Sequence, residues 1–169
     1  MSVESLNKLS AEQAQHAFLQ CCTAMNWVNK MVADRPYADE AALRNAADVN
    51  WQGLVETDYL EAFEGHPKIG DVSSLRAKYA NTKALASGEQ SAVSEATEDV
   101  LQLLSQGNTD YEKKFGFIFI VCATGKSAAE MSALLQARLP NDKAVELINA
   151  AEEQRKIFHI RLNKLLETD

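Results

Sequence analysis

Apolar residues recur along this chain mostly at intervals of three and four, the spacing of one face of an α-helix. Ser10-Ala-Glu-Gln13 is a capping-box pattern, and Ala14, Ala17, Phe18, Cys21 and Met25 follow it at helical spacing. Trp27 to Val32 form a short second helix, stopped before Pro36. Asp39 to Leu54 reads as a third, with Leu43, Ala46, Ala47, Trp51 and Leu54 on one face. Thr57 or Asp58 caps a short helix carrying Tyr59, Leu60 and Phe63, and Ser73 caps another that runs to about Asn81. Ser87-Gly-Glu-Gln90 repeats the capping box. It opens a longer helix with Ala92, Val93, Ala96, Val100, Leu103 and Leu104, which Gly107 stops. Ser127-Ala-Ala-Glu130 is a third such box, with a helix ending before Pro140. Asn141 or Asp142 caps the last helix, which runs to about Glu167.

One stretch breaks the period. Phe117 to Ala123 reads Phe-Ile-Phe-Ile-Val-Cys-Ala. Its aromatic and β-branched residues make it the one strand candidate. A run this short and continuous does not distinguish a strand from buried helix or an extended loop. Seven or eight helices with short connections predict an all-α fold, a compact single-domain bundle. No repeat, low-complexity tract or long linker divides residues 1–169.

Composition narrows the function. Hydrophobic residues make up 46% of the 169 and charged residues 24%, as in an ordinary soluble globule. The net charge of -7 argues against nucleic-acid or anionic-membrane partners, which demand a basic surface. A small anionic substrate needs only a local positive site. Cys21, Cys22 and Cys122 are odd in number and lack CxxC spacing, as expected of buried reduced thiols in a reducing compartment. No secretory leader, peroxisomal tripeptide or run of about 18 apolar residues is visible, so the expected location is cytoplasmic.

Candidate chemistry centres on Glu64-Gly65-His66-Pro67-Lys68-Ile69-Gly70-Asp71. Pro67 fixes its own φ and biases His66 towards extended backbone, and the flanking glycines permit unusual geometry. A turn of this kind holds one imidazole in place, which suits proton transfer near neutrality. Taken alone, these eight residues are better explained by an inter-helix turn with an exposed histidine. Arg161 has Ile157, Phe158 and Leu165 as helical neighbours, so its guanidinium is partly buried and needs an anion. That anion is either a glutamate of another helix or a substrate carboxylate or carbonyl. Glu89 and Gln90 lie in a first helical turn, where capping and the helix dipole already account for them. His16 and His159 have no second ligand at i+3 or i+4, so no metal site is expected. GxxxxGK[ST], GxGxxG and GxSxG are absent.

Taken together, Gly65-His66-Pro67-Lys68-Ile69-Gly70-Asp71, Ser87-Gly-Glu89-Gln90, Lys114-Phe-Gly-Phe117 running into Cys122-Ala123, and Ile160-Arg161-Leu162 resemble the 2-oxo-4-hydroxy-4-carboxy-5-ureidoimidazoline (OHCU) decarboxylase family over essentially the whole chain. The resemblance implies an all-helical, cofactor-free homodimer that converts OHCU to (S)-allantoin, the last step from urate to allantoin. It implies His66 as the catalytic acid/base and Glu89 as the group that holds the substrate and tunes His66. Pro67, Gln90 and the backbone from Phe119 through Ile120 and Cys122 to Ala123 would line the pocket. Arg161 would bind a substrate carbonyl or carboxylate. The family's pocket serine is expected three residues before the glutamate, where this chain has Ala86; Ser87 lies two before it. Two rival readings are a non-catalytic helical interaction module and a hydrolase of a related cyclic ureide.

Overall fold

Ser10 and Gln13 exchange the hydrogen bonds that their spacing predicts: Gln13 N–H donates to the serine Oγ, and Ser10 N–H to the glutamine Oε1. They open the second of eight helices whose bounds fall among the described residues of the computed structural model, namely 1–67, 72–73, 75 and 91–167, with main chain only at 91–97. No strand occurs among the described residues, so the fold is all-α. The helices are α1 (Val3–Lys8), α2 (Ala11–Leu19), α3 (Met25–Ala33), α4 (Glu40–Gln52), α5 (Glu56–Glu64), α6 (Ser91–Phe115), α7 (Ala128–Arg138) and α8 (Lys143–Glu167). At six residues, α1 is too short to register as periodicity; Ser2 caps it through the Ser5 N–H.

The chain forms two compact units, Met1–His66 with Ala151–Asp169, and Pro67–Ala150. The first is built on aromatic packing. Phe158 of α8 stacks on Trp27 of α3, ring centroids 5.0 Å apart, and meets Trp51 of α4 edge-on at 5.7 Å. Phe18 of α2 meets Trp27 edge-on at 6.0 Å. Burying each large side chain of this kind stabilises by about 1.5–3 kcal/mol. Both indoles keep their polar ends satisfied: Trp27 donates to the Ala47 carbonyl and Trp51 to that of Ala151, each at 3.0 Å. Asp39 caps α4 as its type predicts. Neither Thr57 nor Asp58 caps α5. The helix starts earlier, after Val55, and Asp58 at its third position accepts the Val55 N–H instead.

In the second unit, α6 does not stop at Gly107. That glycine lies inside the helix and is buried, and a Cβ there would fall 2.4 Å from Leu135 Cδ2 of α7. It is retained for close packing, not for ending a helix. The stop comes at Gly116, whose φ of +82° gives the left-handed conformation that terminates helices. Because α6 continues, its buried face is Leu101, Leu104, Tyr111 and Phe115, and Leu103 is half exposed. Ser127 caps α7 as expected, and α7 ends before Pro140. Val72, Ser73 and Leu75 are helical, so Ser73 does not open its segment; residues 76–81 of the expected helix lie outside the described residues. The second capping box at Ser87 lies outside them too.

The run from Phe117 to Ala123 is neither helix nor strand. A buried carboxylate holds it. Glu146 of α8 is fully buried and accepts from Tyr111 Oη (2.6 Å), Arg138 Nε (2.7 Å), Asn141 Nδ2 (2.9 Å) and Asn149 Nδ2 (2.7 Å). Arg138 Nη1 then donates to the Ile120 carbonyl at 2.7 Å, and its guanidinium lies over the Phe119 ring. Burial alone would push the Glu146 carboxyl up, but the four donors together hold it below its ordinary value.

Candidate active site

His66 follows α5 directly, and the end of that helix is fixed from the start of α3. Ala24 precedes α3 and has no capping side chain, so the Glu61 carboxylate of α5 accepts the Met25 N–H at 2.6 Å. Asn26 donates to Asp58 at 2.7 Å. In return, the Thr23 hydroxyl is shared between the last-turn carbonyls of Glu61 (3.1 Å) and Ala62 (3.3 Å). Thr23 sits so close that a Cβ on Gly65 would fall 2.1 Å from its Oγ1. Gly65 therefore serves close approach; its φ of -72° is one that any residue adopts. The His66 N–H closes the turn on the Phe63 carbonyl at 3.1 Å.

The imidazole is half-buried, and its Nε2 is hydrogen-bonded to Gln154 Oε1 of α8 at 2.5 Å. Burial pushes its pKa below the ordinary 6.5; the bond to Gln154 works the other way, and the Arg161 guanidinium lowers it further. At neutral pH the ring is uncharged, hence a base before it is an acid. Arg161 donates from Nη1 to the Cys21 carbonyl at 3.3 Å and pairs with no carboxylate among the described residues. Of the two anions that its surroundings call for, the glutamate of another helix is not found there.

A single register on α8 brings these groups together. Gln154 lies four residues before the anchored Phe158 and Arg161 three after it, so both stand on one helix face. Cys21 and Cys22, nearby in sequence to Thr23, are buried, and burial raises both thiols to about 12. Such thiols are inert as nucleophiles at neutral pH. His159 Nε2 is hydrogen-bonded to Asp48 at 2.7 Å, and Arg155 forms an ion pair with the same carboxylate at 3.2 Å.

Among the expected site residues, His66 and Arg161 thus fall in one unit and act on each other electrostatically. Pro67 is exposed. Phe119, Ile120, Cys122 and Ala123 belong to the other unit, where Arg138 and Lys126 take the carbonyls of Ile120 and Cys122. Glu89, Ala86, Ser87 and Gln90 lie outside the described residues, as does Lys68. Sequence reasoning missed Gln154 and Thr23. For Gln154 a signal existed: a glutamine one heptad before Arg161, on the helix face set by Phe158.

The OHCU decarboxylase family model matches residues 7–163. The chain is similar to the "Uric acid degradation bifunctional protein TTL" of Arabidopsis thaliana, 35% identical over 93% of this chain and 48% of that protein. It is 24% identical to a 2-oxo-4-hydroxy-4-carboxy-5-ureidoimidazoline decarboxylase of Halalkalicoccus jeotgali, over 98% of this chain and 92% of that one. The chain spans about half the length of the Arabidopsis relative and 32% of a uric acid degradation bifunctional protein of a Bacillus strain. A crystal structure of OHCU decarboxylase in the presence of (S)-allantoin superposes with a TM-score of 0.69 at 34% identity, over 95% of this chain and all of that one.

Proposed function

The chain belongs to the OHCU decarboxylase family, and we propose that it decarboxylates 2-oxo-4-hydroxy-4-carboxy-5-ureidoimidazoline to (S)-allantoin in urate degradation. The observation that carries the reading is a half-buried His66 held by Gln154, its pKa pushed down by burial and by the Arg161 guanidinium, with that arginine lacking a carboxylate partner among the described residues. In the substrate, the carbon that bears the carboxylate and a hydroxyl adjoins a ring C=N bond. When the C–CO2 bond breaks, its electron pair forms a carbon–carbon double bond and the imine pair moves to nitrogen. The substrate supplies its own electron sink, and the reading requires no cofactor.

Each part of the site has a task in this scheme. Arg161 holds a carboxylate or carbonyl oxygen and fixes the ring for cleavage. Neutral His66 takes the hydroxyl proton and returns one to the neighbouring carbon from a single face, while solvent protonates the ring nitrogen. One-sided delivery gives one allantoin enantiomer. Glu89 orients the substrate and tunes His66; Pro67, Ala86, Ser87, Gln90 and the 119–123 backbone line the pocket. Residues 1–169 act as one functional domain. The homodimeric state and cytoplasmic location belong to the same proposal. No described helix is long and apolar enough to cross a membrane, and sedimentation of the purified chain tests the dimer.

The decisive assay follows freshly generated OHCU to allantoin by circular dichroism, with and without protein. The wild type should accelerate formation of one enantiomer, and folded His66→Ala should lose nearly all of that acceleration. Wild-type protein without effect, or His66→Ala at the wild-type rate, sinks the proposal.

A further inference from the structure

Gln154 is a fully buried polar side chain that the family resemblance does not assign. Its carbonyl oxygen is committed to His66 Nε2, while its amide nitrogen, also buried, has no partner among the described residues. A buried N–H2 group left unpaired is costly, and native structures keep such groups where a ligand or an ordered group completes them. The two ends of the amide therefore do different work.

The acceptor end sets the imidazole tautomer. An amide oxygen facing Nε2 requires the proton on Nε2, which leaves the lone pair on Nδ1. Among the described residues Nδ1 has no hydrogen-bond partner, so it is the atom able to exchange a proton with a ligand. The donor end presents N–H to an oxygen. Carboxylate and carbonyl oxygens are the acceptors that a small anionic ureide offers, and Arg161 stands on the same face of α8. We propose that Gln154 is a positioning and ligand-binding residue: its carbonyl locks His66 as the Nε2–H tautomer, making Nδ1 the proton-transferring atom, and its amide N–H2 is the donor that receives a ligand oxygen.

The electrostatic setting of this pair is simple among the described residues. Arg161 is the charged group acting on His66, and Glu61, on the helix before it, is committed to the Met25 N–H. A glutamate at position 154 keeps an acceptor for Nε2–H but removes the amide donor and adds negative charge. A leucine removes both functions.

The ligand oxygen's identity rests on the decarboxylase reading; the tautomer does not, and the experiments separate the two. With nitrogen-15-labelled histidine, only three imidazoles contribute signals, and His66→Ala assigns the relevant one. The wild type should show protonated Nε2 and unprotonated Nδ1; the opposite tautomer or an even mixture overturns the lock. Gln154→Leu should give the mixture, with kcat lower by roughly tenfold or more. In the pH–rate profile the acid limb should move down for Gln154→Leu and up for Gln154→Glu, whereas a merely structural role moves both alike. Titration with (S)-allantoin should shift the Gln154 side-chain N–H2 resonances of the wild type; unchanged resonances while other site signals move overturn the donor role. Thermal melts of both variants establish folding. If the wild type turns over no OHCU, the tautomer measurement still decides the lock; if it is active and the tautomer is wrong, only Gln154 loses its role.

Discussion

Phe158 stacks on Trp27 with ring centroids 5.0 Å apart, and this contact helps set the rotation of α8 on which Gln154 and Arg161 depend. The ring is fully buried and also meets Trp51. Truncating it to alanine leaves a cavity that its two tryptophan neighbours fill only in part. Phe158→Ala should destabilise the chain by about 3–5 kcal/mol, and Phe158→Leu by less. Urea unfolding followed by tryptophan fluorescence measures both; a change under about 1 kcal/mol for alanine would show that α8 is held elsewhere.

Gly65 and Thr23 compete for the same space. Gly65→Ala puts a methyl 2.1 Å from Thr23 Oγ1 and 2.6 Å from its Cγ2. The substitution should cost about 1–3 kcal/mol, as overpacking does. In a Thr23→Ala background the clash is relieved, so the second substitution should cost much less than in the wild type. A double-mutant cycle by thermal melting tests this coupling; strict additivity would mean that Thr23 does not set the turn.

Glu146 is the most heavily hydrogen-bonded charge among the described residues. Removing it with Glu146→Ala leaves Arg138 without its carboxylate and should cost about 3–5 kcal/mol. The sign of its pH dependence follows from a carboxyl held below its ordinary 4.5 when folded. The contribution is fully present above pH 4.5 and is lost as pH falls from there through the folded value. Thermal melts between pH 3 and 7, as a buffer series, should show wild-type stability falling on the acid side more steeply than that of Glu146→Gln.

His66 titrates with the opposite charge and the same direction of effect. Its folded pKa lies below 6.5, so between the two values the unfolded chain binds more protons. The uncharged ring thus favours the folded state above pH 6.5, and this advantage fades as pH drops through the folded value. Activity that needs a neutral base should follow suit, with the acid limb of kcat/KM below 6.5. A limb above 6.5 would mean that a nearby anion, not burial, governs the ring.

Much of the fold was legible because capping chemistry is local. Ser10, Asp39 and Ser127 each mark a helix start with one side chain and the spacing to its partner. Gly107 misled because a sequence cannot tell a glycine kept for its dihedral freedom from one kept for lack of a side chain; Leu135, far along the chain, decides between them. The site was half legible. His66 and Arg161 stand out by rarity and by apolar neighbours, whereas Thr23 and Glu61 are ordinary polar residues whose roles exist only after tertiary contacts form, and Gln154 is marked only by its heptad spacing to Arg161. The segment 117–123 was undecidable for the same reason, since its backbone is held by Arg138 and Lys126.

The placement of Gln154 and Arg161 two turns apart on one continuous helix has an evolutionary corollary. Substitutions between them are cheap at exposed positions such as Lys156, but a single inserted or deleted residue would rotate one group by about 100° relative to the other. This interval of α8 is therefore free to vary at its exposed positions and frozen in length, a pattern that any homologue sharing the chemistry should obey.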